Sequence, residues 1–296
     1  MPNSERWRSL PPFLVILLLT IAAIASLFGL VLTAWAIAQD GGQFRLFGDG
    51  RATVSASAEG RANDPDDVIP PRADELYRVW DRNADGRPIR WNPCQPIEFA
   101  VNRDGGPDEW VDLFQEALGR VAAASGLTLV LHGETEERPS VDRPALNADR
   151  YGRRWSPVLV AWAAPDESGL PMSETDRGVA LPLAAGTDGQ RTLVSGQVVF
   201  NSQRNDPEHA WPGLRELQLN FDDRATSWGA TMIHELLHLV GLNHVDDPDQ
   251  LMYTYAGTGP VEFGLGDRAG LDELHQGCVD VPDPAEVDTL KLVPNS

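Results

Sequence analysis

The sequence predicts one α+β domain over residues 76–296, held behind a single membrane-crossing helix and a tether. Three observations predict it. Short apolar runs of strand length alternate with amphipathic helical stripes. Three of the chain's six histidines fall within the eleven residues His234–His244, on one of those stripes. No charged residue occurs between Ser9 and Gln39.

Residues 1–12 form a short amino terminus, and Arg6 and Arg8 favour keeping it in the cytoplasm. Residues 13–38 are nearly all apolar, long enough as a helix to span a hydrocarbon core of about 30 Å. An uncleaved signal anchor is expected there, because the run far exceeds the core of a signal peptide. The small-x-small run Ala36-Ile37-Ala38 keeps cleavage and secretion as the alternative. Either outcome puts the following domain outside the cytosol. Residues 39–75 are rich in Gly, Ala, Ser, Asp and Pro without a periodic apolar face, and are expected to be a flexible tether.

The domain then reads in order. Residues 96–102 alternate as a first strand. Trp110, Val111, Phe114, Leu118 and Val121 form a helical stripe that Gly126 closes. Residues 128–131 read as a second strand, and the unbroken apolar run 157–162 as a buried central one. Residues 178–183 and 197–200 read as two more. Pro182 marks the first of these as an edge strand, since proline has no ladder N–H. A helix over 225–240 and a last helix over 267–275 complete the domain.

The helix at 225–240 carries the run His234-Glu235-Leu236-Leu237-His238-Leu239-Val240-Gly241-Leu242-Asn243-His244, or H-E-x-x-H-x-x-G-x-x-H. His234 and His238 are four apart and share a helix face, so both imidazoles can reach one ion. Glu235 is placed to deprotonate a metal-bound water without being a ligand. Gly241 can end the helix and let His244 return as a third ligand. Three protein ligands leave an open coordination position, the pattern of a catalytic zinc and not a closed structural one.

The run resembles the signature of the metzincin zinc metalloproteases, and Met252, eight residues after His244, resembles the methionine turn of the matrixin branch. The resemblance implies a zincin fold: a twisted, mostly parallel sheet with an antiparallel edge strand, an active-site helix, the methionine turn and a carboxy-terminal helix. It implies that Met252 forms an apolar floor under the histidines and that Asp267 braces the turn. It also implies that Val179, Ala180 and Leu181, within an edge running to Leu183, pair with an extended substrate, and that residues 254–264 wall a specificity pocket. Gly266 stands where matrixins carry the first of two aspartates, and the matrixin switch peptide is missing. Both departures point away from activation by propeptide cleavage.

Cys94 and Cys278 flank the domain and, outside the cytosol, are expected to form a disulfide contributing roughly 3–5 kcal/mol. The sequence around Cys94 is not a metal-binding switch. Asp81-x-Asn83-x-Asp85-Gly86 resembles the start of a calcium loop, but Asn92 replaces the twelfth-position Glu, so a plain turn is expected and calcium is unsupported. His132, His209 and His275 read as ordinary residues. A net charge of −20 with one lysine, Lys291, argues against nucleic acid as a partner. Low lysine and abundant Ala, Arg and Gly match a GC-rich, bacterial genome. The expected function is zinc-dependent hydrolysis of a protein or peptide substrate by a monomer. An inactive zinc-binding envelope module and a narrow-specificity envelope processing hydrolase are the alternatives.

Overall fold

The computed structural model describes residues 75–187, 189–205, 217–254, 259–285 and 289–291. These lie in the compact unit Val68–Ser296. In chain order the elements are β1 (Arg78–Val79), β2 (Ile97–Val101), α1 (Trp110–Ser125), β3 (Leu129–Glu134), α2 (Ala148–Tyr151), β4 (Val158–Ala163), α3 (Pro165–Ser168), β5 (Gly178–Thr187) and β6 (Gln190–Asn201). A 3-10 turn (Ser202–Asn205) follows, then α4 (Trp228–Val240), β7 (Leu242–Asn243), α5 (Leu265–Leu274) and β8 (Thr289–Lys291).

Six strands form one mixed sheet in the order β3-β2-β4-β6-β5-β8. The first four are mutually parallel, and β5 and β8 join antiparallel. β4 is buried at all six positions, as its continuous apolar run requires of a central parallel strand. Phe99, Trp162 and Phe200 point from β2, β4 and β6 to one face, where Phe114 of α1 and Trp228 of α4 pack against them edge-on or tilted. The opposite face carries a smaller cluster of Leu170, Met172, Val179 and Val199. It also carries a buried Arg143–Glu137 ion pair, satisfied further by Ser195 and the carbonyls of Gly196 and Pro157.

Two strand expectations are corrected. The strand read over residues 178–183 is longer: β5 continues through Pro182 to Thr187, with Pro182 opposite Gly196 on β6. Nor is the whole of Val179–Leu183 an edge. Leu183, Ala184 and Ala185 pair with β8, so among the described residues the free edge is Gly178–Pro182. A three-residue strand near the carboxy terminus carries too little periodicity to be read from sequence.

Cys94 and Cys278 are bonded, with Cα atoms 5.5 Å apart. The bridge ties the entry of β2 to the exit of α5. Beside it Arg90 donates to the carbonyls of Leu274, Gln276 and Gly277, the acceptors left over where α5 ends. The segment from Asp81 is a turn with a bridge between Arg82 and Pro88. Asn83 is bonded on both sides of its amide to Arg191, and Asp85 accepts from Arg87 N. Its side chains are thus engaged in holding a turn, as a plain turn predicts. Among the described residues no helix is long and apolar enough to cross a membrane; the segment 13–38 and the tether before Glu75 lie outside them.

Candidate metal centre

α4 begins where the backbone carbonyls of Gln218 and Asn220 accept the N–H groups of Trp228 and Gly229, two of the donors that a helix start leaves unpaired. Arg177 secures the same entry by donating to Arg224 O and Ala225 O. Gly229 is required there, since a Cβ would lie 2.4 Å from the Phe221 ring. The helix ends at Gly241, whose φ of 123° suits glycine and whose N–H returns to His238 O. β7 then carries the chain to His244.

His234, His238 and His244 are brought together as the sequence predicts. The Nε2 atoms of His234 and His238 each lie 3.1 Å from that of His244. Ligand atoms around a tetrahedral ion at zinc–imidazole distances would be separated by roughly 3.3 Å. His234 Nδ1 is 2.7 Å from Leu251 O and His238 Nδ1 is 2.9 Å from Leu242 O. A carbonyl only accepts, so both Nδ1 atoms carry the proton and both Nε2 atoms present lone pairs. One proton on His244 could satisfy only one of them, whereas a cation satisfies all three. Burial pushes His234 well below the usual imidazole range and His238 down to about 3, with neighbouring imidazoles adding to the effect. Burial and then Arg224 lower His244. The neutral imidazoles that result are metal-ligating forms, and the three could hold a metal ion.

Glu235 lies beside the histidines, almost fully buried. Burial first, and then the Asp176 carboxylate, push its pKa up to about 8, opposed by a hydrogen bond from Ala180 N–H and by Arg224. Gly178 leaves the necessary space: a Cβ there would lie 3.1 Å from Glu235 Cγ. The residues expected to line a substrate edge therefore divide. Ala180 addresses Glu235, while Val179 and Leu181 pack toward the cluster on the opposite face. A cleft of about 620 Å3 opens over the site, between the Gly178–Ala180 edge and the turn carrying Asn243 and His244.

Asp267 braces the turn at Met252. Its carboxylate accepts from Leu251 N at 2.7 Å, Gly264 N at 2.8 Å and Met252 N at 3.2 Å. Leu251 also supplies the carbonyl for His234, so the buried aspartate is one residue removed from a ligand. Met252 is buried in the main core. Thr254 lines the cleft and Tyr253 O accepts from Arg224; residues 255–258 of the expected pocket wall lie outside the described residues. His132 is exposed near Arg154, His275 packs on Gly126, and His209 lies outside the described residues.

Several supporting residues have no motif signature. Arg224 bridges Gln250 O and Tyr253 O. Gln250 accepts from Gly266 N and Asp267 N. Trp80 donates its indole N–H to His238 O at 2.7 Å, and Trp91 donates to Leu239 O at 2.8 Å. A buried tryptophan usually finds a partner for its N–H, which is the one general signal that could have flagged the last two. Gly266, read as a departure from the matrixin pattern, has a local reason: a Cβ would lie 2.1 Å from Leu76 O.

No family model matches the chain, and no curated protein matches it.

Proposed function

We propose that this protein is a zinc-dependent endopeptidase with a metzincin, matrixin-like catalytic domain, acting outside the cytosol from an amino-terminal membrane anchor. The observation that carries the reading is the convergence of three imidazole Nε2 atoms, with a buried carboxylate beside them, at the floor of a cleft bounded by a free strand edge. A three-nitrogen set with an open position suits zinc among the common metals.

Bound there, zinc would supply a water of lowered pKa and polarise the scissile carbonyl. The chain's own residues do the rest. His234, His238 and His244 would hold the ion, each of the first two oriented by a carbonyl on its Nδ1. Glu235 takes the water's proton and later delivers it to the leaving amine. The Gly178–Pro182 edge offers main-chain groups to an extended peptide.

The test uses the full-length chain in mild detergent, with a quenched-fluorescent peptide library and casein. Cleavage that chelator removes and zinc restores is expected. Glu235→Ala should retain zinc and lose turnover. Zinc binding without cleavage of any peptide would assign the chain to an inactive zinc-binding module. Cleavage unchanged in Glu235→Ala would overturn the mechanism.

A further inference from the structure

The segment Leu76–Trp80 lies far from the histidine motif in sequence, yet it meets the turn between the second and third histidines at several points. Trp80 N–H donates to Gly241 O at 2.9 Å. Its indole N–H donates to His238 O. Its ring lies 5.6 Å from the His238 imidazole, and it lines the cleft. One residue thus holds carbonyls at both ends of the helix stop, His238 and Gly241, and its ring lies beside the imidazole of the first.

The two residues before it extend the hold. Val79 pairs with Leu242 and Arg78 with Asn243. Leu242 O is the acceptor that fixes the His238 tautomer, and Asn243 precedes His244. The short β1–β7 pairing therefore sets the stretch of backbone from which two of the three ligands are oriented.

At its other end the segment is seated on α5. Gly266 and Gly270 lie four apart, on one helix face. A Cβ at Gly266 would fall 2.1 Å from Leu76 O, and one at Gly270 would fall 2.9 Å from the Tyr77 ring and 2.6 Å from Leu242 Cδ2. Glu273, one turn further, accepts from Tyr77 Oη at 2.9 Å and from Arg82 at 2.7 Å. The space over the two glycines is filled by the backbone of Leu76 and the side chains of Tyr77 and Leu242.

We infer that Leu76–Trp80 is a positioning strap of the metal centre: seated on Gly266 and Gly270, it aims His238 and His244 through Trp80 and the β1–β7 pairing. This rests on the proposed metal site. It adds that ligand geometry depends on a segment at the amino-terminal boundary of the domain.

The experiment measures metal affinity by chelator competition, and the visible absorption of the Co2+-loaded full-length chain. The proteins compared are wild type, Trp80→Phe, Trp80→Ala, Gly266→Ala and Trp91→Phe. Trp80→Phe keeps a ring and loses the N–H. Gly266→Ala displaces the strap without touching a ligand. Trp91→Phe removes an indole bond from the same helix end, to Leu239 O, with no ligand contact. Outer partners of metal ligands are typically worth 10–100-fold in affinity. The expected result is about a tenfold loss for Trp80→Phe and Gly266→Ala, a larger one for Trp80→Ala, and a shifted Co2+ spectrum in all three. Trp91→Phe should lower thermal stability and leave affinity and spectrum unchanged. Wild-type affinity in Trp80→Ala and Gly266→Ala overturns the strap while leaving the hydrolase reading intact. So does an equal loss in Trp91→Phe, which would mean general support of the helix end. A wild-type chain that binds no metal overturns the hydrolase reading itself.

Discussion

Helices α1 and α4 lie in one core and follow one rule of construction, but they use polar residues in opposite ways. α1 is amphipathic: Trp110, Phe114, Leu118 and Val121 face the sheet, and Glu116 and Arg120 pair in solvent. It ends at Gly126, whose N–H returns to Ala122 O. α4 buries every residue but His234, including Glu235 and His238. Its end is held by two tryptophan indoles and by Gly241. The scaffold helix can leave its polar groups to water. The site helix cannot, and Glu235 and His238 there are matched by Ala180 N–H and Leu242 O.

The comparison can be broken from either side. The largest effect is expected in the scaffold: Phe114→Ala should cost about 3–5 kcal/mol in urea unfolding, as deletion of a buried aromatic does. It should leave metal affinity unchanged while the protein is folded; a lost affinity would show that the two helices are not separable. The next effect belongs to α4 alone. His238 is held at about 3, below its unfolded value near 6.5, so below that value the unfolded chain takes up the proton first. Stability is fully present above pH 6.5 and is lost as pH falls. His238 alone should account for on the order of 2 kcal/mol between pH 6.5 and 5. Urea midpoints of the metal-free protein across that range measure it, and a flat profile would contradict the burial of neutral imidazoles.

Smaller changes compare the two helix stops. Gly126→Ala, at φ 71°, should cost about 1–2 kcal/mol in thermal unfolding and nothing in metal affinity. Gly241→Ala meets a similar backbone strain and similar crowding, its Cβ 3.1 Å from Leu274 as that of Gly126→Ala is 3.1 Å from the His275 ring, but it should also weaken metal binding, because the turn aims His244. Equal metal affinity in the two variants would count against that distinction. The smallest effect is Glu116→Gln, which removes the exposed pair with Arg120 and should cost no more than about 0.5 kcal/mol.

The same contrast explains what could be read from sequence. Ligands four apart on a helix, a glycine at its stop, and strands of unbroken apolar character are local patterns, so His234, His238, Gly241 and β4 were legible. His244 followed from the turn. Asp267 and the pairing of Cys94 with Cys278 came from resemblance and compartment, and the structure makes both contacts. Trp80, Trp91, Arg177, Arg224 and Gln250 were not legible. They act on backbone carbonyls or N–H groups, which every residue carries, and Trp80 and Trp91 do so across 158 and 148 residues. No side-chain pattern records such a contact. β8 was missed because three residues carry no period, and it shortened the free edge of β5.

The bridge between Cys94 and Cys278 closes a ring over a sequence separation of 184, and all three histidines lie inside it. A peptide bond cut anywhere within that ring leaves both pieces in one covalent molecule. If the proposed peptidase activity nicked the protein's own surface loops, the damaged copies would run intact on a gel until a reductant separated them. They would keep Arg90 and its partners on α5 side by side, since the bridge joins the neighbouring segments. The cross-link thus sets how the molecule ages as well as how firmly it folds.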